Sequence, residues 1–342
     1  MGNGQRQPDR KQKVTLAEVA RVCGVSEITV SRVLRNKGAI SAHTRQKVVE
    51  AVRKTGYVPN RLAGSLASAD SNLMGVIIPS LSNIVFPEVL RGIHAALDPS
   101  GIQPVVGVTE YNMETEEKLV RELLAWKPQA MLIVGFDHTE ATTRMLRNAD
   151  IRVAELMDID SEAIDIAVGM SHRGAGHDTG RYLLERGYRR FGYVGHDWNA
   201  DRRARLRFDG LMSALADNGT SLVDKELYDG PTSTMAGRQA LSALLTRTPE
   251  LDVVVFSNDD MALGGVFHCY AEGIALKQGL AIFGFNGLDI GAALPQPLST
   301  IRSRRFDIGK VAVEKILENP GRREGPPATI DLGYEIVTGA TA

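Results

Sequence analysis

The sequence predicts an α/β protein with a small all-α helix-turn-helix head and two doubly wound lobes built on parallel sheets. Two short helical patterns meet at Gly24, and from residue 73 onward short apolar runs alternate with helical patterns. The alternation starts again near residue 175, which favours two lobes over one long sheet.

The expected domain organisation follows from these patterns. We expect a basic tail over residues 1–13, a helix-turn-helix domain over 14–58, a hinge helix and linker over 59–71, and a two-lobed domain over 72–342. The first lobe is expected to take residues 72–170 with 303–329, and the second 171–302 with 330–342.

The head begins with recognisable helix ends. Thr15 stands at an N-cap position with Glu18 three residues later, so that hydroxyl and carboxylate can satisfy two unpaired amides reciprocally. Gly24 supplies the left-handed conformation of a tight turn, and Ser26 caps a second helix over residues 27–35. The spacing is typical of a helix-turn-helix.

A third helix over residues 44–55 is expected to close the head. The predicted core comprises Leu16, Val19, Ala20, Val25, Val30, Val33, Leu34, Val48, Val49 and Val52. The second helix then presents Glu27, Ile28, Thr29 and Arg32 outward, on the surface that would enter a major groove.

The helical pattern alone also permits an ordinary helical bundle. The distribution of charge favours a DNA-binding helix-turn-helix instead. Residues 1–66 contain 13 Lys and Arg against 4 Asp and Glu, a net charge of +9. Residues 67–342 contain 27 Lys and Arg against 37 Asp and Glu, a net charge of −10. A basic head on an acidic body favours phosphate binding by that head.

Composition excludes several other classes of protein. The two cysteines, Cys23 and Cys269, are far apart in helical patterns and allow neither a disulfide framework nor a zinc site. No metal or cofactor is expected. The N-terminus lacks an apolar signal region, and no run approaches the ~18 apolar residues that span a bilayer, so we expect a cytoplasmic protein without a membrane partner.

The body alternates strands and helices. Strands are expected at residues 73–79, 102–108, 130–136, 152–157, 190–194, 226–228, 253–256 and 281–285. Helices are expected at residues 86–98, 115–126, 140–148, 175–186, 204–216, 236–246 and 261–272.

Ligands of such folds bind beyond the carboxyl ends of the strands, in a cleft between facing lobes. The polar candidates there are Ser82, Asp137, Asp158, Asn258 and Asn286, with Arg207 on a helix that follows a strand. The alternative is that strand-end residues such as Asp158 and Asp259 only cap the next helix.

Two further clusters contain residue types found in catalytic, metal-binding or dinucleotide-binding motifs, but the surrounding sequence does not match those motifs. Ser171, His172, His177 and Asp178 are surrounded by neither a nucleophile elbow nor a metal-binding helix, and we expect them to begin a helix after a crossover between lobes. Gly264 and Gly265 lack the spacing of a dinucleotide fingerprint and indicate close packing. Catalysis finds little support in the sequence.

The head segments VTLAEVARVCGVSEITVSRVLRN and TRQKVVEAVRKTGYVPNRLAGSLAS resemble the headpiece and hinge of LacI/GalR transcription regulators. The body stretches PSLSNIVFPEVLRGI, ELMD, DIAVGM, FSNDDMALGG and FGFNGLDIG are most similar to the gluconate-utilisation repressors of that family. The resemblance covers nearly the whole chain from Val14 and implies a body like that of periplasmic sugar-binding proteins.

The resemblance also implies which residues contact an effector. Carried over position by position, those contacts fall on Phe86, Asp158, Arg207, Asn258 and Asn286. Many relatives have an aspartate at the position of Asn286, and its absence here suits an anionic effector. Arg207 can hold a carboxylate through two parallel hydrogen bonds, as in gluconate or a phosphorylated derivative.

For the hinge, Pro59 prevents helix continuation and Asn60 can cap a short segment. The resemblance implies that Leu66 wedges into the minor groove, whereas the residues alone also permit a flexible linker. Arg32, Ile28 and Glu27 have the chemistry to read bases. The remaining candidates for DNA contact are Thr15, Thr29, Arg45, Asn60 and Arg61.

These observations together predict a homodimeric repressor of sugar-acid catabolism genes, released from a palindromic operator by a sugar or sugar-acid effector. A regulator that responds to another sugar, or that uses its ligand as co-repressor, remains open. A transport-type sugar-binding protein would need an export signal, and an enzyme would need a nucleophile, metal or cofactor loop.

Overall fold

The computed structural model describes residues 14–34, 38–58, 71–196, 198, 201–321 and 325–342. The chain divides into two compact units, residues 1–69 and 70–342, which we describe separately. The expected basic tail, Asn60, Arg61 and Leu66 lie outside the described residues.

The head contains the three expected helices: α1 (Leu16–Cys23), α2 (Glu27–Leu34) and α3 (Ala42–Thr55). Thr15 caps α1 by accepting from the Glu18 amide, and Ser26 Oγ accepts from the Thr29 amide at 3.2 Å. Gly24 has a φ of 68°, the left-handed value that the turn requires. The Glu18 carboxylate, expected to reach back to Thr15, lies 3.8 Å from the Arg21 guanidinium.

The core of the head is nearly the predicted one, with Val19, Val30 and Val48 fully buried. The prediction was wrong for Val49, which is 55% exposed. Successive helical residues point about 100° apart, so a helix that buries Val48 and Ala51 turns Val49 toward solvent.

The first lobe has a six-stranded, all-parallel sheet. Its strands are β1 (Leu73–Ile78), β2 (Gln103–Val108), β3 (Ala130–Val134), β4 (Arg152–Leu156), β5 (Ile166–Gly169) and β11 (Ala328–Asp331), in the order β11-β5-β4-β3-β1-β2. Its helices are α4 (Val85–Leu97), α5 (Met113–Ala125), α6 (Glu140–Asn148) and α12 (Arg305–Glu318).

The second lobe repeats this plan. Its strands are β6 (Phe191–His196), β7 (Leu222–Tyr228), β8 (Val253–Phe256), β9 (Ala281–Asn286), β10 (Ser299–Ser303) and β12 (Tyr334–Val337), in the order β12-β10-β9-β8-β6-β7. Only β12 runs antiparallel to its neighbour within this sheet. The helices are α7 (His172–Glu185), α8 (Arg202–Asp217), α9 (Thr234–Arg247), α10 (Asp259–Glu272) and α11 (Asp289–Ala292).

The α/β architecture with two parallel-sheet lobes confirms the predicted fold class, but the sequence patterns missed β5, β10, β11, β12, α11 and α12. The strands β11 and β12 are sheet edges whose residues are exposed or half-buried, and β10 is mostly buried but polar, so none is an apolar run. Because β11 pairs with β5, residues 330 and 331 belong to the first lobe rather than the second.

Three helix pairs pack backbone against backbone through reciprocal glycines. The pairs are α4 with α12, α7 with α8, and α9 with α10, and their glycines are Gly92 and Gly309, Gly176 and Gly210, and Gly237 and Gly264. A Cβ atom at any of these positions would overlap a backbone carbonyl oxygen of the facing helix. This confirms close packing at Gly264, while Gly265 lies against the Phe256 ring.

Within the part of the chain that the structure describes, no helix is long and apolar enough to cross a membrane.

We expect Gly176→Ala to lower the free energy of unfolding by about 1–3 kcal/mol, because the methyl group would meet the carbonyl oxygen of Arg207. Helix propensity alone would favour alanine by about 1 kcal/mol, so a stabilised variant would contradict the packing argument. Chemical denaturation of the full chain measures the change, with Ser213→Ala at an exposed position of α8 as the control.

Candidate functional site

A cavity of about 420 Å³ lies between the lobes, at the carboxyl ends of both sets of parallel strands. Five of the residues proposed from the sequence line it: Ser82, Phe86, Arg207, Asn258 and Asn286. The chain folds this way because each lobe connects its strands through helices, which leaves the loops after the strands free to face the other lobe.

Arg207 is held by three protein groups at the cavity. Its Nη1 donates to His172 Nδ1 at 3.1 Å, and its Nη2 donates to the carbonyl oxygen of Ser257 at 2.9 Å. The guanidinium carbon lies 4.1 Å from the centre of the Phe285 ring. Three protein groups therefore fix the plane of this guanidinium before any ligand arrives.

His172 can accept from Arg207 only as a neutral ring. Its Nε2 donates to the carbonyl oxygen of Met157 at 2.8 Å, which assigns the proton to that nitrogen. Burial, reinforced by the nearby Arg207 and Arg203 guanidinium groups, lowers the pKa of His172 well below its ordinary value. The ring thus serves as an acceptor that orients a cation.

The Nε–H group of Arg207 is buried without a hydrogen-bond partner among the described residues. Burial lowers the pKa of Arg207, and Asp201 acts in the opposite direction. Arginine stays charged in proteins, so an anion in the cavity would satisfy an otherwise orphaned donor.

A second guanidinium, that of Arg203, lies 5.5 Å from the centre of the Phe86 ring, with its Nε 3.7 Å from Asp201 Oδ1. Burial favours the neutral form of Asp201, but Arg203, Arg207 and His196 outweigh it and hold the pKa of Asp201 well below its usual range. Asp201 is therefore ionised and compensates Arg203.

The two asparagines reach the cavity from strand ends. Asn258 Oδ1 accepts from the Met261 amide at 3.0 Å, so its carboxamide caps α10 and presents the NH₂ group as a donor. Asn286 has a φ of 125°, and Met157 has a φ of 75°. Left-handed conformations of non-glycine residues are costly and cluster at functional sites.

Ser82 lies in a polar loop after β1. Its Oγ is 2.9 Å from Ser80 Oγ, and the next residue, Asn83, donates from Nδ2 to the hydroxyl of Tyr111 at 3.1 Å. Ser80, Asn83 and Tyr111 line the cavity as well.

Asp137 and Asp158, the other two proposed effector residues, are not among the residues that line the cavity. Asp158 is buried and accepts from the Asp160 amide at 2.9 Å. Asp137 Oδ1 lies 3.7 Å from Nε of Arg202 on the other lobe, and Arg202 also donates to Ser161 Oγ at 2.8 Å. These contacts connect the two lobes.

The alternative of helix capping does not describe Asp259, although this residue begins α10. Its Oδ2 accepts from the Leu288 amide at 2.8 Å, and its Oδ1 accepts from Thr300 Oγ1 at 2.7 Å. Burial raises the pKa of Asp259 to about 6. Asp259 therefore ties α10 to the segments after β9 and in β10.

The sequence reasoning missed several residues that line the cavity, namely Glu110, Tyr111, His172, Asp201, Arg203 and Asp229. Ser171 caps α7 as expected, with its Oγ accepting from the Gly174 amide at 2.8 Å. The next residue, His172, is nonetheless the partner of Arg207. Glu110, Asp201 and Asp229 follow strands or precede a helix, the positions that the strand-end rule selects.

In the head, the proposed DNA-contacting face of α2 is formed as expected. Glu27, Ile28 and Arg32 are exposed and Thr29 is half-buried. Ile28 is 66% exposed, so its side chain is available for contact with a partner. Thr15 is exposed and Arg45 is half-buried.

A buried charged cluster lies beside Asp137. His138 Nδ1 is 2.7 Å from Glu116 Oε1, and its Nε2 is 3.5 Å from Glu155 Oε1. Burial alone would lower the pKa of His138, but the two carboxylates raise it to about 9. The ring is therefore an imidazolium at neutral pH.

Among the described residues, no group of three or more His, Cys, Asp or Glu is arranged to hold a metal ion.

An exposed reading face on a helix-turn-helix and a two-lobed cleft with an oriented cation define a ligand-responsive DNA-binding regulator. Residues 15–60 match the family model of bacterial regulatory proteins of the lacI family. Residues 71–331 match the model of periplasmic binding proteins and the sugar-binding domain of the LacI family. The chain belongs to the LacI family of transcription regulators.

Individual relatives agree with this assignment. The chain is 38% identical to the HTH-type transcriptional regulator GntR of Pseudomonas aeruginosa, over 94% of each chain, and 32% identical to GntR of Escherichia coli K12, over 97% of this chain and 99% of that one. The crystal structure of a LacI-family regulator from Silicibacter pomeroyi superposes with a TM-score of 0.90 at 44% identity, covering 96% of this chain and 99% of that one. All three are named as transcription regulators rather than enzymes.

The His138 cluster predicts a pH dependence of stability. Because the pKa of His138 in the folded chain, about 9, exceeds the ordinary value of 6.5, the folded state holds the proton more tightly. The stabilisation is complete below about pH 6.5 and is lost as the pH rises through 9, by at most about 3 kcal/mol.

The measurement is the free energy of unfolding between pH 6 and 9.5, for the natural chain and for His138→Gln. The natural chain should lose stability across this range more steeply than the variant. His94→Gln, at an exposed position of α4, is the control and should keep the natural slope. Parallel curves for the natural chain and His138→Gln would contradict the assignment of the proton to this cluster.

Proposed function

We propose that this LacI-family protein represses genes of sugar-acid catabolism, binds a palindromic operator as a homodimer, and is released by a free or phosphorylated sugar acid of the gluconate type. It acts by binding and not by catalysis, and it needs no metal or cofactor. The site residues are those that line the cavity together with the exposed face of the head.

The observation that carries the proposal is the buried, unpaired Nε–H of Arg207. Its Nη1 and Nη2 are each committed to one protein acceptor, which leaves the Nε–H and one hydrogen on each Nη for a ligand. A carboxylate satisfies such a fork with two parallel hydrogen bonds. A neutral sugar would offer this fork only hydroxyl oxygens, which are weaker acceptors than a carboxylate.

The other lining residues have the chemistry of a polyol site. The Asn258 NH₂ group donates, and the Asn286 carboxamide and the Ser82 hydroxyl both donate and accept, in the geometry that hydroxyl groups require. The buried Phe86 ring offers an apolar face for the carbon chain. Asp158, which is buried, and Asp137, beside Arg202, are proposed to act on the shape of the cleft.

The arrangement of the two lobes couples ligand binding to the conformation of the chain. A ligand that contacts Phe86 on one lobe and Arg207 on the other favours the arrangement that brings them together, as do the contacts of Arg202 with Asp137 and Ser161. A ligand shifts such an equilibrium only by its difference in affinity for the two states, and the effect is reciprocal.

On DNA, we propose that Arg32 bonds to guanine, that Ile28 contacts a thymine methyl group and that Glu27 accepts from cytosine. Thr15, Thr29 and Arg45 contact phosphates. The proposal extends to Asn60, Arg61 and the wedge residue Leu66 on sequence grounds. Two heads on a palindrome require a symmetric dimer, since each head covers one half-site.

We expect Arg207→Gln to weaken gluconate binding by about ten- to a hundredfold, because a hydrogen bond to a charged group contributes about 1.5–3 kcal/mol. Calorimetric titration of the full chain with gluconate and with sorbitol, in which the carboxylate is replaced by CH₂OH, measures the preference for the acid. The natural chain should prefer gluconate, and Arg207→Gln should lose that preference.

Arg205→Gln is the matched control, because Arg205 is exposed on the same helix and does not line the cavity. Equal affinity of the natural chain for gluconate and sorbitol would refute a sugar-acid effector. A mobility-shift titration on a palindrome selected from random DNA tests release, and operator binding that strengthens with gluconate would overturn the repressor–inducer relationship.

We expect Arg32→Ala to lose about 1–3 kcal/mol of discrimination at one base pair of each half-site. Competition among operators with single substitutions, performed at fixed salt, measures this loss position by position. Arg53→Ala, at an exposed position of α3, is the control for loss of positive charge. Uniform weakening across all operators would assign Arg32 to the phosphate backbone instead.

A further inference from the structure

The charges of the cavity are separated along its length. In both sheets the strand order ends with β2 and β7 at one edge, and the chain crosses between lobes near β5, β10 and β11 at the other. The edge of β2 and β7 therefore forms the mouth of the cleft. The loops directly after these two strands carry Glu110 and Asp229, and both side chains line the cavity.

The Arg207 guanidinium lies farther into the cleft than these two loops. Arg207 is held by the carbonyl oxygen of Ser257 after β8, by the Phe285 ring on β9, and by His172, which bonds to Met157 after β4. These strands are interior to the sheets or adjacent to the crossing side. An extended acid with its carboxylate on Arg207 thus directs its tail to Glu110 and Asp229.

The other arginine offers little to a second anion. Arg203 is compensated by Asp201, whose carboxylate oxygen is 3.7 Å away. Of the described residues that line the cavity, two are arginines and four are carboxylic acids, namely Glu110, Asp201, Asp229 and Asp260. The lining therefore carries more carboxylates than guanidinium groups, and among the described residues Arg207 is the arginine whose buried N–H group has no acceptor.

We propose that this cleft selects a monoanionic, unphosphorylated sugar acid, and that Glu110 and Asp229 are the residues that exclude derivatives phosphorylated at the far end. The inference rests on the proposed function and narrows it. A hydroxyl group at the mouth can donate to either carboxylate, whereas a phosphate carries about −1.5 to −2 charges at pH 7 and is repelled.

Reversing the ligand does not remove the conflict. With its phosphate on Arg207, a phosphorylated acid would place its own carboxylate between Glu110 and Asp229, where like charges meet again. Both side chains are exposed, so the repulsion is long-ranged at low salt and is screened as ionic strength rises.

The test compares gluconate with 6-phosphogluconate by calorimetric titration of the full chain at low and high salt. We expect gluconate to bind at least tenfold more tightly at low salt and the ratio to shrink at high salt. In the double variant Glu110→Gln/Asp229→Asn, the ratio should fall by about tenfold or more, because the mouth no longer repels the phosphate.

The double variant Glu114→Gln/Glu250→Gln is the matched control, since it removes the same charge at exposed positions that do not line the cavity. It should keep both affinities. If gluconate binds but 6-phosphogluconate binds equally well or better, or if the two double variants behave alike, the inference is overturned and the sugar-acid function stands. If neither acid binds, the proposed function fails and this inference fails with it.

Discussion

The close approach of α7 and α8 is the constraint on which the ligand cleft depends. Gly176 and Gly210 let the two helices meet backbone to backbone, and Gly176 lies against the carbonyl oxygen of Arg207 itself. The first residue of α7, His172, then orients the guanidinium of the same arginine. One helix thus fixes both ends of the residue that gives the cleft its charge, and small residues at the contact make this possible.

Many elements of this fold could be predicted from the sequence, because the local preferences of the residues agree with the structure they adopt. The caps at Thr15 and Ser26 and the turn at Gly24 follow from side-chain chemistry and backbone sterics. Strands that form only by pairing with distant segments of the chain could not be predicted in this way. The strands β11 and β12 are held by neighbours far along the chain, and each has only four residues, too few for an apolar–polar alternation to be recognised in the sequence.

The site shows the same division. The strand-end rule places Ser82, Asn258 and Asn286 at the cavity, because parallel strands end at one edge. The rule does not distinguish these residues from Asp158, whose carboxylate accepts from the Asp160 amide in its own loop and does not line the cavity. His172 was interpreted only as the start of a helix, since nothing local shows that a distant arginine needs an acceptor.

The pairing of β11 with β5 and the packing of α12 on α4 have a consequence for biosynthesis. The first lobe lacks an edge strand and a covering helix until residues 305–331 have been made, by which point most of the second lobe has emerged from the ribosome. Contacts between segments so far apart in sequence form late and fold slowly. The nascent first lobe therefore exposes the apolar flank of α4 during translation, and chaperone engagement should concentrate there.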